Sequence, residues 1–392
     1  MANRVEIHGN CDARFQRVRD VFTEQLENPE EVGASVAVTI GGQTVVDLWG
    51  GHADPERTRP WHADTLVNLF STTKGMAALC AHRLADQRKL DLDAPVAKYW
   101  PEFAQADKGA IPVRWLLDHS AGMVAVDKSL PPAALYEWDT MCAALAEQAP
   151  WWEPGTAHGY HAMTFGWLVG EVVRRISGKS VGAYFRDEIA GPLGADIHIG
   201  TALEHDARTA ELIPAPLPKL DGSGGDAEFI TQLLASAKPY ALKAFMNPLP
   251  LPGAFNSRAW RGAEIPAANG HGSARSLARI YSALACGGAI DGVHVLSQDA
   301  IDRARVEQRH GLDHVIPIMP TKFGLGFQIG TEAEPIGPNP RAFGHSGAGG
   351  SFGFADPEAG VAFGYAMNRM ETGLFLIGPR ATALMNAVFA SL

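Results

Sequence analysis

A serine and a lysine lie three positions apart at Ser71 and Lys74, where an apolar run at 66–70 precedes a helical pattern. Residues three apart project from one face of a helix, so the amine can reach the hydroxyl and, once deprotonated, accept its proton. The pair therefore predicts a nucleophile beside its own base. The alternative is an ordinary helix start, with Ser71 or Thr72 as N-cap and Lys74 as a solvated residue of the first turn.

A lysine base needs help, because an ordinary lysine has a pKa near about 10.4 and is protonated at neutral pH. Burial or a neighbouring cation must lower that pKa, or a third group must share the proton. Tyr160 is the candidate for this group, since the Pro-Gly turn at 154–155 and Gly159 place it on a loop that leads into a helix. The alternative is a tyrosine of the core or its rim.

A glycine-rich stretch at 344–350 follows a strand-like segment. Glycines let a substrate approach the backbone closely, and N–H groups there could stabilise an oxyanion together with the N–H of Ser71. The alternative is a hairpin that binds nothing. The run at 349–353 also matches the Gly-x-Ser-x-Gly nucleophile motif, but Ser351 lies between strand-like segments and no helical pattern follows it, which argues against that role.

Composition limits the classes of partner. The chain has 392 residues, of which 46% are hydrophobic and 19% charged, so it can bury a substantial core. Its net charge of −10 disfavours nucleic acids and anionic membrane surfaces and leaves a small neutral or cationic substrate.

Targeting and redox signals are weak. The four cysteines are far apart and form no Cys-x-x-Cys pair, and residues 1–8 lack an apolar segment. We therefore expect a cytoplasmic protein that needs no metal ion or cofactor. Oligomeric state stays open.

The elements that must position these residues follow from periodicity and turn signals. The predictions are a helix at 12–27, a hairpin at 34–50 that turns at Gly41-Gly42, helices at 75–205, long loops with short helices at 205–268, a helix at 274–286, strands at 323–329, 342–345, 350–355 and 361–367, and a helix at 373–390. The loops at 205–268 are expected to form pocket walls. Strands at both ends predict a sheet domain from 1–90 and 270–392, with a mostly helical domain inserted at 91–269.

Several motifs occur in order over most of the chain. They are Leu-Phe-Ser-Thr-Thr-Lys-Gly at 69–75, Leu-Asp-Leu-Asp-Ala-Pro-Val at 90–96, Val-Arg-Trp-Leu-Leu-Asp-His-Ser-Ala-Gly-Met at 113–123, Pro-Gly at 154–155, Tyr160, Asn-Gly-His-Gly at 269–272 and Gly-His-Ser-Gly at 344–347. With these motifs the chain resembles serine hydrolases of the class C β-lactamase and penicillin-binding-protein type, and most closely the family VIII carboxylesterases.

The resemblance implies an α+β fold, in which an antiparallel sheet flanked by helices carries an inserted helical domain and the active site lies between the two. It implies that Ser71 is the nucleophile and that Lys74 and Tyr160 activate it. It also places His345, Ser346 and Gly347 where β-lactamases have Lys-Thr-Gly, and makes the N–H of Ala348 the second oxyanion donor. His119 and His271 are expected in loop hydrogen bonds.

Two departures from the β-lactamase pattern concern the substrate. Tyr-x-Asn reads Tyr-His-Ala here, so Ala162 lacks the amide that would bind an acylamino group. At the position of the lysine that would bind a carboxylate, this chain has His345, which is mostly neutral near pH 7. Both changes favour uncharged esters, although His345 could instead be structural.

These observations predict a carboxylesterase that hydrolyses short-chain esters through an acyl-enzyme. A weak β-lactamase or D,D-peptidase, an amide hydrolase and an acyltransferase are alternatives on the same site. A binding module or filament-forming relative without catalytic activity is a further alternative.

Overall fold

The computed structural model describes residues 5–215, 238–317, 320–371 and 376–392. The strands are β1 Ile7–Cys11, β2 Gly33–Ile40, β3 Gln43–Gly51, β4 Val67–Asn68, β5 Ile197–His198, β6 His271–Gly272, β7 Ala289–Ile290, β8 Val293–His294, β9 Arg309–Leu312, β10 Pro320–Phe323, β11 Gln328–Ile329, β12 Phe343–Ser346, β13 Phe352–Asp356 and β14 Val361–Met367. Nine of these described strands form one antiparallel sheet in the order β1-β3-β2-β14-β13-β12-β11-β10-β9.

Helices cover both faces of this sheet. They are α1 Gln16–Glu27, α2 Thr73–Asp86, α3 Arg114–Leu117, α4 Trp138–Glu147, α5 Thr164–Ser177, α6 Val181–Phe185, α7 Gly191–Leu193, α8 Pro239–Met246, α9 Arg258–Gly262, α10 Ala274–Ala285, α11 Gln298–Arg305 and α12 Pro379–Phe389. In the described ranges no helix is both long and apolar enough to cross a lipid bilayer.

Strand β2 shows how the two faces are separated. Val36 and Val38 pack in one cluster with α1 and α12, whereas Ala37 belongs to the cluster that contains α2, α5 and α10. Successive side chains of a strand point to opposite faces, so this alternation places the sheet between two helical layers. The predicted α+β fold with an antiparallel sheet is confirmed.

Helix α2 is the centre of the larger cluster. It is buried on almost every side and packs against α5 and α6. A helix that is buried on almost every side lies inside a protein rather than on its surface. Its first turn, which carries Lys74, is therefore held in the interior.

Most predicted elements are confirmed. The hairpin is β2 and β3, with Ile40 opposite Gln43 and the turn at the two predicted glycines. The strands near 343, 352 and 361 and the helix that starts at Ala274 are also present. The last helix begins at Pro379, and the predicted start at 373 lies outside the described residues.

Three predictions were wrong or incomplete. The predicted strand at 323–329 is two strands, because the chain reverses at 324–327, where Gly326 has a φ of +82° and its α-carbon lies against Ala78 of α2. The first helix starts at Gln16 and follows β1, which pairs with β3 although its sequence lacks an apolar alternation. Strand β9 was also missed.

The loop region at 205–268 contains α8 and α9, as predicted, but 216–237, with the Gly-Ser-Gly-Gly run at 222–225, lies outside the described residues. The division into domains at 90 and 270 stays a prediction. Buried side chains of the sheet, of α2 and of the helices at 138–193 belong to one continuous cluster.

Candidate active site

Ser71 lies in a short 3₁₀ turn, Phe70–Thr72, that leads directly into α2. The preceding residue, Phe70, has a φ of +42°, a left-handed conformation that is rare for a bulky residue. Such backbone strain persists where the surrounding structure enforces it. The turn leaves Ser71 half-buried, while Phe70 and Thr72 are buried.

The surrounding structure that holds this turn includes Ser351. Its hydroxyl donates to the carbonyl of Leu69 at 2.7 Å and lies 3.0 Å from the hydroxyl of Thr72. Ser351 is buried and is followed directly by strand β13. The prediction that Ser351 does not sit on a strand-to-helix turn is confirmed, and its hydroxyl serves to anchor the Ser71 turn.

Lys74 is completely buried in the first turn of α2. Its Nζ lies 3.1 Å from Ser71 Oγ and donates to the carbonyls of Ala162 at 2.7 Å and Ala267 at 2.9 Å. Burial lowers the pKa of Lys74 well below its usual range. The alternative of a solvated first-turn lysine is therefore wrong, and the N-cap position of α2 is Thr72, whose side chain makes no capping bond.

Tyr160 lies beside this pair. Its ring centroid is 4.7 Å from Lys74 Nζ. Burial raises the pKa of Tyr160, while the side chain of Ser71 acts in the opposite direction. The phenol therefore stays protonated at neutral pH, so the amine of Lys74, whose pKa burial lowers, is the better base of the two.

Asp313 fixes the position of Tyr160 and was missed in the sequence. One of its carboxylate oxygens accepts the N–H of Tyr160 at 2.9 Å and the N–H groups of Val315 and Ile316. The other oxygen accepts the hydroxyl of Thr321 at 3.4 Å. The buried carboxylate thus joins the loop of Tyr160 to strands β9 and β10. No motif or spacing marks it.

His345 lies in β12 and is buried, with its ring 6.2 Å from that of Tyr160. Its Nδ1–H donates to the carbonyl of Ser346 at 2.7 Å, so Nε2 carries the lone pair. Among the described residues Nε2 has no hydrogen-bond partner. Burial and the nearby Lys74 lower the pKa of His345 to about 3. The prediction that this residue is neutral is confirmed.

Ser346, Gly347 and Ala348 lead from β12 into a turn next to Ser71. A Cβ on Gly347 would lie 2.2 Å from the carbonyl oxygen of Leu69, so only glycine allows this approach. Ala348 is exposed at the tip of the turn. Both the N–H and the hydroxyl of Ser346 donate to Gln328, at 2.9 and 3.0 Å, a partner that sequence reasoning missed.

The other histidines of the site make loop hydrogen bonds. His161 donates from Nδ1 to the carbonyl of Gly159 at 2.8 Å and accepts the N–H of Met123 at Nε2. His119 accepts the N–H of His161, and His271 bonds the carbonyl of Asn269. The prediction for His119 and His271 is confirmed.

The cluster brings together a half-exposed hydroxyl, a buried amine of lowered pKa and a protonated phenol. An uncharged amine can take the proton of a hydroxyl as that hydroxyl attacks a carbonyl, and a phenol can pass the proton on. The arrangement can therefore carry out acyl transfer. Of the described residues, no group of three or more His, Cys, Asp or Glu side chains could hold a metal ion.

Comparison with known proteins gives consistent results. The sequence model of the beta-lactamase family matches residues 18–386. A family VIII carboxylesterase crystal structure is 44% identical, with a TM-score of 0.90, and the match covers 99% of this chain and all of that one. A penicillin-binding protein homologue from Caulobacter crescentus is 41% identical, with a TM-score of 0.89, over 99% and 100% of the two chains. The esterase/beta-lactamase LipL of Mycobacterium tuberculosis is 36% identical over 94% of this chain and 85% of its own length.

Proposed function

Because the chain belongs to the beta-lactamase family, we propose that it is a serine hydrolase of carboxylic esters that works through an acyl-enzyme on Ser71. The observation that carries this proposal is the contact of 3.1 Å between Ser71 Oγ and the buried Nζ of Lys74. The similarity to a family VIII carboxylesterase over the full chain and to LipL supports ester hydrolysis.

The proposed reaction has two steps. The uncharged Lys74 takes the proton of Ser71 as Oγ attacks the ester carbonyl, and the N–H groups of Ser71 and Ala348 stabilise the oxyanion. The tetrahedral intermediate collapses, and the alcohol leaves with a proton passed on through Tyr160. Water then attacks the acyl-enzyme by the reverse proton path, which releases the acid and restores Ser71.

The preference for esters over β-lactams rests on Ala162 and His345. Ala162 contributes its carbonyl to Lys74 and has no side-chain amide for an acylamino group. His345 is uncharged, so it lacks the cation that would bind a β-lactam carboxylate. We assign Ser346 and Gly347, together with His345, to the part of the site that contacts the substrate.

The central test is Ser71→Ala, with Ser177→Ala as a control at a serine on the C-terminal turn of α5. We expect hydrolysis of p-nitrophenyl acetate and butyrate to fall by about 10⁴-fold or more in Ser71→Ala, because a nucleophile of this type contributes at least that much. A fluorophosphonate should label Ser71, located by mass spectrometry of peptides. Undiminished activity in Ser71→Ala, or an adduct on Ser351, would refute the assignment.

The alternative activities are compared on one preparation. Turnover of a butyrate ester, nitrocefin and a short amide should rank the ester first, and added alcohol reveals an acyltransferase. A β-lactamase or D,D-peptidase predicts comparable turnover of nitrocefin, which the printed name of LipL makes a necessary comparison. A non-catalytic binding protein or filament-forming relative predicts no labelling at all.

The cellular setting is part of the proposal. We propose a cytoplasmic enzyme without cofactor, nucleic-acid partner or membrane attachment. Its four cysteines are unpaired and its net charge is −10, both of which support this setting.

A further inference from the structure

An apolar cavity of about 520 Å³ lies in the region predicted to form pocket walls. Its lining includes Leu212, Pro214, Phe245, Leu249, Leu251 and Phe255. The side-chain amide of the polar lining residue Asn256 is already hydrogen-bonded. It accepts the N–H of Leu212 at 2.8 Å and donates to the carbonyl of Leu212 at 2.9 Å. The cavity therefore suits an apolar group and offers little to a polar one.

An aromatic contact joins the wall of the cavity to the turn that carries Ser71. Phe255, in its wall, packs edge-to-face on Phe70 with ring centroids 5.1 Å apart. Phe70 is the residue of positive φ that precedes Ser71. One wall of the cavity therefore packs directly against the turn that carries Ser71.

A second, independent path links the cavity to the proposed oxyanion turn. Ile213, between the lining residues Leu212 and Pro214, accepts the N–H of Met370 at 2.9 Å. Met370 packs against Gly349, where a Cβ would lie 2.6 Å from its Cγ. Gly349 follows Ala348. The segment 212–214 of the cavity wall is therefore joined through Met370 to the turn that contains Ala348.

The outer edge of the cavity is unusually apolar. Phe245, Leu249 and Leu251 are 48%, 51% and 62% exposed, and Leu242 and Met246 on the same segment are about as exposed. Large apolar side chains grouped on a surface mark binding sites for apolar ligands. Here the group borders a cavity whose wall contacts the turn that carries Ser71.

Resting on the proposed function, we propose that this cavity binds an apolar chain or ring of the ester that is larger than the acyl group of a short-chain substrate. A ligand pocket of about 300–1,000 Å³ usually encloses a whole small molecule, so a volume of about 520 Å³ exceeds the needs of a butyryl group. The apolar group belongs either to the acyl half or to the alcohol half of the ester, and the two sources are separated by experiment.

The experiment uses two ester series on the full-length protein. One series lengthens the acyl chain from acetate to octanoate with a fixed alcohol, and the other lengthens the alcohol from ethyl to octyl with a fixed acetate. In the series whose chain enters the cavity, kcat/KM should rise by about fourfold per buried methylene beyond four carbons. A flat profile in both series would overturn the proposal.

The double variant Leu249→Ser/Leu251→Ser tests the cavity itself. Both side chains are exposed by half or more, so the fold should tolerate the change. We expect about a tenfold loss for the eight-carbon substrate and less than a twofold change for the two-carbon substrate. Leu203→Ser is the matched control, because Leu203 is 71% exposed and does not line the cavity. Equal losses on both substrates, or the same selective loss in the control, would contradict the proposal.

A binding measurement separates this inference from the proposed function. The Ser71→Ala protein, which cannot form an acyl-enzyme, should bind an ester with an eight-carbon chain more tightly than its two-carbon analogue by calorimetry, and the double substitution should remove most of that difference. If wild-type protein hydrolyses no ester yet Ser71→Ala shows this difference, the cavity proposal holds and the proposed function fails. If esters are hydrolysed but no difference in binding exists, the proposed function holds and the cavity proposal fails.

Discussion

Among the described residues two lysines are completely buried, Lys74 at the start of α2 and Lys108 in the segment before α3. Each lies within hydrogen-bond distance of three oxygen atoms, and neither forms an ion pair with a described residue. Lys108 Nζ bonds the carbonyls of Gln105, Ala146 and Gln148 at 2.8, 2.9 and 2.6 Å. Lys74 bonds two carbonyls and one hydroxyl.

The two lysines differ in the third of these oxygen atoms. Carbonyl oxygens have no proton to give, so Lys108 can only join the segment at 105–108 to the end of α4. The hydroxyl of Ser71 can give a proton to Lys74 once that amine is uncharged. Burial lowers the pKa of Lys108 to about 8 and that of Lys74 well below its usual range. A buried lysine is therefore not in itself a catalytic signal, whereas a buried lysine bonded to a hydroxyl is.

The largest expected effect comes from removing each amine in turn. Lys74→Met should lower kcat/KM for a butyrate ester by about 10³-fold, in the range that general-base catalysis contributes. Lys108→Met should leave kcat/KM within about twofold, since its removal affects only backbone contacts. Circular dichroism should show both variants folded. The comparison would break down if Lys108→Met lost as much activity as Lys74→Met in folded protein.

A smaller effect is expected in the pH dependence of labelling. The rate at which a fluorophosphonate reacts with Ser71 should fall as pH decreases through the pKa of Lys74, because protonation removes the base. Since burial lowers that pKa, the midpoint should lie well below the value of about 10.4 for an ordinary lysine. Lys108→Met should leave the midpoint unchanged. A midpoint at the ordinary lysine value would show that the amine is not held uncharged.

The smallest expected effect concerns stability. The folded-state pKa of Lys108 is about 8 and its usual value 10.5, so between these values the unfolded chain binds more protons and stability rises with pH. The free energy of unfolding of wild type relative to Lys108→Met, measured in urea, should therefore increase from pH 8 to pH 10 and stay constant below pH 8. Relative to Lys74→Met, the free energy of unfolding should also rise with pH below the ordinary lysine pKa, because burial lowers the pKa of Lys74. If the free energies of unfolding of wild type and both variants changed with pH in parallel, folding would leave the pKa of both lysines unchanged.

The sequence was informative where chemistry is local. Ser71 and Lys74 are three residues apart on one helix, so their contact follows from helix geometry alone. Tyr160 could be proposed as their partner from its position on a loop, and the resemblance to known hydrolases supported that choice. The exclusion of Ser351 was also local, because it depended on whether a strand or a helix follows.

Contacts between distant residues could not be predicted in this way. The bond from the N–H of Tyr160 to Asp313 spans 153 positions, and the bond from Lys108 to Ala146 spans 38. Nothing in the neighbouring sequence distinguishes Asp313 or Lys108 from surface residues of the same type. Strand β1 was missed for a related reason. Its sequence lacks the apolar alternation of a half-buried strand, and its backbone pairs with β3, which lies more than 30 positions away in the chain.

The pairing of β2 with β14 has a consequence for synthesis on the ribosome. These neighbours in the centre of the sheet, with Ile40 opposite Val361, are about 320 positions apart in the chain, so their contact is among the most non-local in the molecule. At about 5–20 residues per second, on the order of tens of seconds pass between the translation of β2 and that of its partner. During this interval Ser71 has already emerged, while the turn anchored by Ser351 does not yet exist. In a nascent chain, Ser71 is therefore held in position as a nucleophile only when translation is almost complete.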